Sequence, residues 1–387
     1  MITKITNAKL ITNEIVSNKN LYIEDDTIAS VTEENLPYDV CIDGAGLYVS
    51  PGFIDIHTHG AGGYDFADGS VEDVLKAAST HAKYGTTTIF PTCTSSSTED
   101  ICCFIRNVKD AMLQNAPGRP FIAGSHLEGP YFSFSMSGAQ NPDYIKRPIP
   151  EEYETFIAIG EGTVKRISFA PELPGTDALM DALNANNIVA AFGHTEGIYE
   201  ELKPAIDKGC HLATHLYSGM NTVTRRNLYR KLGAVETTFL EDTITAEVIA
   251  DGEHLPPELL RMIYKIKGPD KICLITDSMR GAATSDGPSV LGPKHDGMSC
   301  TIKNGVAWLD DMSAFAGSVA TADRLVRVMY KSGIPLNDCI KMMCETPAKT
   351  MHLTDRGQIA PGYKADLVFF DEDIHVHRVI VQGMEIN

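Results

Sequence analysis

The chain has 387 residues, of which 43% are hydrophobic, so it can bury one elaborated barrel or two medium domains and is not expected to be disordered or fibrous. Its 51 acidic residues against 33 Lys and Arg give a formal net charge of −18, which argues against nucleic acid as a partner. The first residues lack a signal-peptide pattern and no apolar run reaches the roughly 18 residues of a membrane span, so we expect a cytoplasmic protein without membrane contact.

The two ends of the chain alternate apolar and polar residues with period two, which predicts antiparallel strands. The segments NLYIEDDTIASV, near the start, and ADLVFFDEDIHVHRVIVQG, near the end, show this pattern most clearly. We therefore expect residues 1–46 and 355–387 to form one small β-sandwich domain. Residues 47–354 then form a separate, larger domain.

In the larger domain, a short apolar, β-branched run followed by a helix-like stretch recurs along the chain. The eight runs occupy residues 47–59, 86–92, 121–129, 166–172, 187–195, 210–217, 245–254 and 271–278. This alternation predicts a parallel sheet, and eight strands are what a closed (β/α)8 TIM barrel of the α/β class needs. A doubly wound open sheet is the alternative. The absence of GxGxxG after the first run, and the polar residues that end the runs, favour the barrel.

Potential metal ligands lie at the ends of several predicted strands. His57 and His59 are two residues apart in the first run, so both imidazoles point to the same side of a strand. Other runs end at Glu128, His194, His215 and Asp277. In a barrel these side chains project to one face, and imidazole with carboxylate suits zinc or iron. The sequence therefore predicts a divalent metal site at the carboxyl ends of the strands.

Such a site predicts hydrolytic chemistry. A divalent ion held by histidine and carboxylate, with one open position, lowers the pKa of its water to about 7. A neighbouring carboxylate can take the proton of that water and pass it to a leaving group. Asp277 is the candidate for this role, and an additional metal ligand or a hydrogen bond at the barrel rim are the open alternatives at the same position.

The motifs PGFIDIHTHG, SHLEGP, GAQNP, GHT, THLY, ADGEH and ITDS follow one another along the chain. This series resembles the N-acetylglucosamine-6-phosphate deacetylase family of the amidohydrolase superfamily, over essentially the whole chain. The first motif alone marks only the superfamily, whereas SHLEGP followed by GAQNP, GHT and THLY is specific. The resemblance implies removal of an acetyl group from N-acetylglucosamine 6-phosphate or a close epimer.

The resemblance also implies roles for individual residues. Glu128, His194 and His215 match the principal metal ligands, and Asp277 matches the catalytic acid and base. Some members lack the histidines of the first strand and hold one ion. This chain has both histidines, His57 and His59, which favours two ions bridged by Glu128, although one ion stays an alternative. The residues expected to contact the substrate are Ala139, Gln140, Ser218, Gly219, Arg226, His254, Phe315, Ala316 and Gly317.

The substrate end of the pattern departs from the family. Arg226 matches an arginine that binds the phosphate and lies in a basic cluster, for which a solvated helix start is the alternative. Ser218 and Gly219 stand where Asn-Ala is usual, NLYRKLG follows Arg226, and ITDSMRGAA replaces a commoner phrase. The reaction type is therefore better supported than the substrate. Members are commonly homodimers, and the resemblance implies the same here.

Two other functions fit parts of the pattern. A cyclic-amide hydrolase or deaminase of the same superfamily would share the barrel. Many cyclic-amide hydrolases, however, bridge their ions with a modified lysine after strand four, where this chain has Ala170, Pro171 and Glu172. A catalytically inactive barrel that binds an amino sugar phosphate is the second alternative, and an acetate-release assay separates it from an enzyme.

Overall fold

Eight parallel strands form a ring in the computed structural model, which describes residues 1–386. The barrel strands, one to eight, are Phe53–Thr58, Thr86–Cys93, the interrupted strand Phe121–Ile122 with Ser125–Glu128, Val164–Phe169, Val189–Phe192, Leu212–Ala213, Thr245–Ile249 and Ile272–Ile275. Each pairs in parallel with the next. Backbone hydrogen bonds from Asp277 to His57 and from His59 to Ser278 close the ring. The predicted TIM barrel is confirmed.

The barrel strands are buried on both faces, which explains their nearly continuous apolar and β-branched composition. Strand two, with the sequence TTTIFPTC, is buried at every position. Strand one is also buried throughout, although it contains Asp55 and His57. Buried charged groups of this kind require partners, and they lie next to the candidate site described below.

Helices follow the strands in turn and cover the barrel. They are Val71–Ala82, Thr98–Met112, Pro150–Gly160, Thr176–Ala185, Tyr199–Asp207, Ala234–Leu240, Pro257–Lys267, Ala322–Lys331, Leu336–Met343 and Glu345–Thr350. Short 3-10 turns occupy Phe134–Met136, Pro142–Tyr144 and Pro269–Lys271. The first two helices begin after Ser70 and Ser97, whose hydroxyls accept backbone N–H groups as N-caps. No helix within residues 1–386 has the length and hydropathy needed to span a bilayer.

Two sheets contain strands from the ends of the chain. One has the order Thr27–Thr32, Asn20–Glu24, Ile2–Thr6 and Val40–Asp43. The other has the order Met384–Glu385, Val376–Val381, Leu367–Phe370, Tyr48–Pro51, Lys9–Ile11 and Ile15–Val16. Leu21, Leu367 and Phe369 belong to one apolar core between them. The strand Tyr48–Pro51 lies in this sheet although the expected boundary is at residue 46, and the division into two domains stays a prediction.

A three-stranded antiparallel sheet follows barrel strand eight and was not predicted from the sequence. Its strands are Gly287–Leu291, Met298–Lys303 and Val306–Leu309. Arg280 ties this sheet to the barrel, because its Nε donates to the carbonyl of Val290 at 2.8 Å and its Nη atoms bond to Asp68 at 2.8 and 2.9 Å. Leu291 reaches the mouth of the barrel, so this sheet forms part of the wall of the candidate site.

A candidate metal centre at the barrel mouth

Glu128, the last residue of barrel strand three, lies at the centre of four histidines. Its Oε1 is 2.8 Å from Nε2 of His215 and 3.1 Å from Nε2 of His194. Its Oε2 is 3.3 Å from Nε2 of His59, and Oε1 is 3.7 Å from Nε2 of His57. The structure thus contains two three-residue groups that share one carboxylate, and within each group the ligand atoms lie within 4.8 Å of one another.

The side chains of this centre fit a bound cation. Nε2 of His57 is buried and has no hydrogen-bond partner among the described residues. Nε2 of His194 and Nε2 of His215 lie 3.1 Å apart. If both nitrogens carry lone pairs, they repel each other at that distance. A bound cation that accepts both lone pairs would remove this repulsion. Imidazole and carboxylate at this spacing are the donors of zinc and ferrous iron sites.

Three residues of the site follow the last paired residue of their strands in an unusual backbone conformation. His194, His215 and Asp277 have φ values of 45°, 30° and 45°. Residues other than glycine rarely adopt this left-handed region, which costs about 1–3 kcal/mol for each residue. The fold maintains three such residues at one mouth, as expected where side-chain placement serves a function.

Asp277 lies beside the centre on the side of the first strand. Its Oδ1 is 3.1 Å from Nε2 of His59 and 3.4 Å from Nε2 of His57. Its backbone N–H donates to the carbonyl of His57 at 2.9 Å, which fixes the register between strands one and eight. Asp277 is therefore placed to act as a proton carrier or as a ligand, two of the roles left open from the sequence.

The carboxylates of the centre are biased toward their ionised forms. Burial opposes ionisation of Glu128, but His57 and hydrogen bonds from two further histidines outweigh it, so the pKa of Glu128 lies well below its usual range. Burial also opposes ionisation of Asp277, and His57 and His59 lower its pKa. Burial disfavours the charged form of His57, yet Glu128 and Asp277 raise its pKa to about 9. This point of the protein favours positive charge.

A cavity of about 200 Å³ opens beside the centre. Besides His59, Glu128, His194, His215 and Asp277, its lining contains the predicted substrate residues Ala139, Gln140, Ser218, Gly219, His254, Phe315 and Gly317. Arg226 and Ala316 are not part of this lining: Arg226 is exposed in the hairpin strand Thr224–Arg226, and Ala316 is fully buried. Thr94, Leu291 and Ala314 also line the cavity and were not predicted from the sequence.

His254 and Phe315 form one wall of this cavity. The rings of His254 and Phe315 meet edge to face with centroids 4.9 Å apart. Nδ1 of His254 lies 2.8 Å from Oδ2 of Asp251. The bond to Asp251 fixes Nδ1 as the protonated nitrogen and leaves Nε2 for another partner. The motif ADGEH therefore supplies an oriented imidazole at the cavity.

A larger cavity of about 530 Å³ lies elsewhere on the barrel. It is lined at the amino-terminal ends of strands five to eight by Val189, Leu212, Thr245 and Lys271, among others. Barrel enzymes act at the opposite, carboxyl-terminal face, where the histidines and carboxylates lie. The smaller cavity is therefore the candidate site.

Gln140 has a contact that was not predicted from its motif. Its Nε2 donates to Oε2 of Glu128 at 2.7 Å, and its Oε1 accepts the backbone N–H of Ser95 at 2.6 Å. Gln140 is only 4% exposed and thus orients the shared carboxylate as well as lining the cavity. The predicted contact with substrate stays a prediction.

Two buried charged residues beneath the centre were also missed. Arg166 and Glu247 lie within barrel strands four and seven, and both are 0% exposed. A partial signal was present in the sequence, because Glu247 is the one charged residue of the strand TAEVI and Arg166 lies among buried positions of VKRISF. A charged residue inside such a strand requires a buried partner.

Comparisons with known proteins agree with the site. Residues 48–386 match the model of the amidohydrolase family. The chain is 32% identical to an N-acetylglucosamine-6-phosphate deacetylase of Lysinibacillus sphaericus, over 94% of this chain and 92% of that protein. It is 28% identical to an N-acetylgalactosamine-6-phosphate deacetylase of Escherichia coli, over 97% of each.

A solved structure gives the same result. A mutant N-acetyl-D-glucosamine-6-phosphate deacetylase of Mycobacterium smegmatis, in complex with N-acetyl-D-glucosamine-6-phosphate, superposes with a TM-score of 0.90 at 30% identity. The match covers 100% of this chain and 99% of that one. These matches confirm the resemblance inferred from the motifs, and the chain belongs to the amidohydrolase family.

Proposed function

We propose that this chain is a metal-dependent deacetylase that hydrolyses the N-acetyl group of N-acetylglucosamine 6-phosphate, or a close epimer, to acetate and the amino sugar phosphate. The observation that carries the proposal is one carboxylate, Glu128, shared by two histidine pairs, with Asp277 at 3.1 Å from His59. The names of the relatives and the cavity beside this centre support the same reaction.

We assign two divalent ions to the centre, and Glu128 belongs to both groups of residues that would hold them. One group of ligands is His57, His59 and Glu128, and the other is Glu128, His194 and His215. Zinc and ferrous iron both accept these donors. When bound, such an ion polarises an acyl oxygen and makes a water molecule acidic enough to act as a nucleophile near neutral pH.

Asp277 moves the proton in the proposed reaction. Its carboxylate lines the cavity and contacts the imidazole of His59, so it can accept a proton from the attacking water. The same carboxyl group then donates this proton to the nitrogen that leaves with the sugar. Gln140 meanwhile keeps the carboxylate of Glu128 in place.

The cavity wall provides the contacts for the sugar. The ring of Phe315 offers an apolar surface, while His254 and Ser218 offer polar groups. Ala139, Gly219 and Gly317 are assigned to the cavity wall by their motifs, and so is Ala316, although it is fully buried outside the lining.

The phosphate is assigned to Arg226. The hairpin of Thr224–Arg226 and Tyr229–Lys231 carries Arg225, Arg226, Arg230 and Lys231 in a protein of net charge −18. At its turn, Leu228 and Tyr229 are 90% and 75% exposed. Exposed apolar residues next to a basic cluster support the further assignment of a homodimer.

A cytoplasmic location is also part of the proposal. All nine cysteines lie within residues 1–386, and none of them forms a disulfide. Seven are buried, as free thiols commonly are in proteins of reducing compartments.

The test is a comparison of acetate release by the metal-replete protein from four compounds. They are N-acetylglucosamine 6-phosphate, N-acetylgalactosamine 6-phosphate and the two unphosphorylated sugars. We expect a higher kcat/KM for one phosphorylated sugar than for its unphosphorylated form. If none of the four compounds releases acetate, the proposal is refuted and the inactive barrel is favoured.

A further inference from the structure

A buried ion pair lies directly beneath the metal centre. Two N–H groups of Arg166 reach the two carboxylate oxygens of Glu247, with Nη2 at 2.9 Å from Oε2 and Nη1 bonded to Oε1. Burial of two charges costs several kcal/mol per ion, and their attraction often does no more than repay this cost. The presence of the pair is therefore better explained by what it contacts than by its contribution to stability.

Glu247 contacts one residue from each half of the centre. Its Oε2 lies 3.2 Å from Nδ1 of His57 and 3.2 Å from the backbone N of His215. When a cation takes the place of the proton on Nε2, the hydrogen bond that Glu247 accepts from Nδ1 keeps the remaining proton of the imidazole on Nδ1. Nε2 of His57 then carries a lone pair, and it is the nitrogen that lies 3.7 Å from Glu128 and 3.4 Å from Asp277.

Arg166 also contacts the chain next to both histidines. Its Nη1 donates to the carbonyl of Ile56, the residue before His57, at 3.2 Å. Its Nη2 donates to Oγ1 of Thr214, the residue before His215, at 3.0 Å. The guanidinium thus connects strands one, four, six and seven beneath the centre and holds the carboxylate of Glu247 in one orientation.

The other side of His57 is packed by a second imidazole. The rings of His57 and His126 meet edge to face with centroids 4.7 Å apart. His126 is itself held by the hydroxyls of Thr92 at 3.2 Å and Ser168 at 2.8 Å. Because packing restricts the ring and Glu247 occupies Nδ1, only one ring nitrogen of His57, Nε2, is free to bind an ion.

We propose that Glu247, held by Arg166, is the positioning residue of His57 and thereby determines whether the ion of the His57–His59–Glu128 group binds. The inference rests on the proposed function, because it assumes that the centre binds metal. The group of Glu128, His194 and His215 receives only a backbone contact from Glu247, so its ion depends on the pair far less.

Two double variants isolate the hydrogen bond to His57. Arg166→Met with Glu247→Gln and Arg166→Met with Glu247→Leu both remove the two charges and leave no unpaired ion in the interior. The glutamine retains an oxygen that can accept from Nδ1, whereas the leucine does not. Ions per chain are counted by mass spectrometry, and the affinity of the weaker ion is measured by chelator competition.

We expect the glutamine variant to hold two ions and the leucine variant to bind the weaker ion about 10–100-fold less tightly, the usual loss when the partner of a metal-ligating histidine is removed. Nitrogen NMR of the imidazole should show one tautomer in the glutamine variant and a mixture in the leucine variant. Equal affinity in both variants would overturn the proposal, as would equal loss of both ions in the leucine variant.

A second buried pair serves as the control. Nη1 of Arg356 lies 3.2 Å from Oδ2 of Asp366, and both side chains are nearly fully buried. Arg356→Met with Asp366→Asn should leave both ions bound even where it lowers the melting temperature. If the leucine variant does not fold, the single variant Glu247→Gln is compared with the parent instead, and loss of its second ion would contradict the proposal. A parent protein that binds no ion would refute the proposed function itself.

Discussion

The candidate site has a metal end, formed by Glu128 and its four histidines, and a phosphate end, formed by the hairpin that carries Arg226. The two ends are built in different ways. At the metal end, His57 is 0% and Glu128 2% exposed, and each is held by several neighbours. At the phosphate end, Arg226 lies in a hairpin whose Leu228 is 90% exposed. The rigid barrel therefore holds the groups of the reaction, whereas surface segments can vary with the substrate. Among the departures from the family motifs, the segment NLYRKLG that follows Arg226 lies at the second end.

Loss of the shared carboxylate should have the largest effect and breaks the metal end as a whole. Glu128→Ala leaves each group with two ligands, so we expect both ions to be lost and acetate release to fall below detection. The measurement is ions per chain together with acetate release. Retention of one tightly bound ion would show that the binding of this ion does not depend on Glu128.

Replacement of the proton carrier tests whether catalysis and metal binding are separate functions. Asp277→Asn should keep the bound ions and lose about 10²–10⁴-fold in kcat, the usual contribution of general acid–base catalysis. Acetate release and ions per chain are measured on the same preparation. An active variant would remove Asp277 from the mechanism, and loss of an ion would make it a ligand.

Replacement at the phosphate end should change recognition without touching the reaction. Arg226→Ala removes a charged hydrogen-bond donor worth about 1.5–3 kcal/mol, so we expect KM for the phosphorylated sugar to rise by roughly 10–100-fold. The turnover of the unphosphorylated sugar should not change. Arg230→Ala, in the other strand of the hairpin, is the matched control, and an equal effect there would point to general electrostatic attraction instead.

A change at the border between the two ends should have the smallest effect. Gly219 has φ of +56°, and a Cβ there would lie 2.8 Å from Nδ1 of His194. Gly219→Ala should therefore lower the free energy of unfolding by about 1–2 kcal/mol and reduce kcat modestly. Thermal unfolding checks the stability, and Gly162→Ala is the control because it has positive φ but open space around it.

Much of the barrel and its metal end could be predicted from the sequence. Buried parallel strands are apolar along their length, and ligands at strand ends necessarily meet at one mouth, so Glu128, His194 and His215 were placed by periodicity and motif together. The resemblance supplied the roles that periodicity could not. Glu128, His194 and His215 are far apart in sequence, and they meet because the barrel brings the ends of its strands together.

Other features could not be predicted because they depend on contacts between distant residues. Arg166 and Glu247 are 81 residues apart, and the sequence of neither strand indicates which residue pairs with its charge. The run 47–59 was interpreted as one strand, but a Cβ at Gly52 would overlap the side chain of Thr87, and the chain changes sheet there. The sheet of residues 287–309 was missed although its strand Met298–Lys303 alternates apolar and polar residues, because the flanking strands Gly287–Leu291 and Val306–Leu309 do not.

The change of sheet at Gly52 links the two ends of the chain to the catalytic centre. Tyr48–Pro51 is paired with Leu367–Phe370 on one side and with Lys9–Ile11 on the other, and it leads after a single residue into the strand that carries His57. A strand from the end of the chain thus pairs with the segment that leads into the strand of His57, a candidate metal ligand. Shortening the carboxyl terminus would consequently lower activity by displacing the strand that carries His57, without removing any residue that lines the cavity.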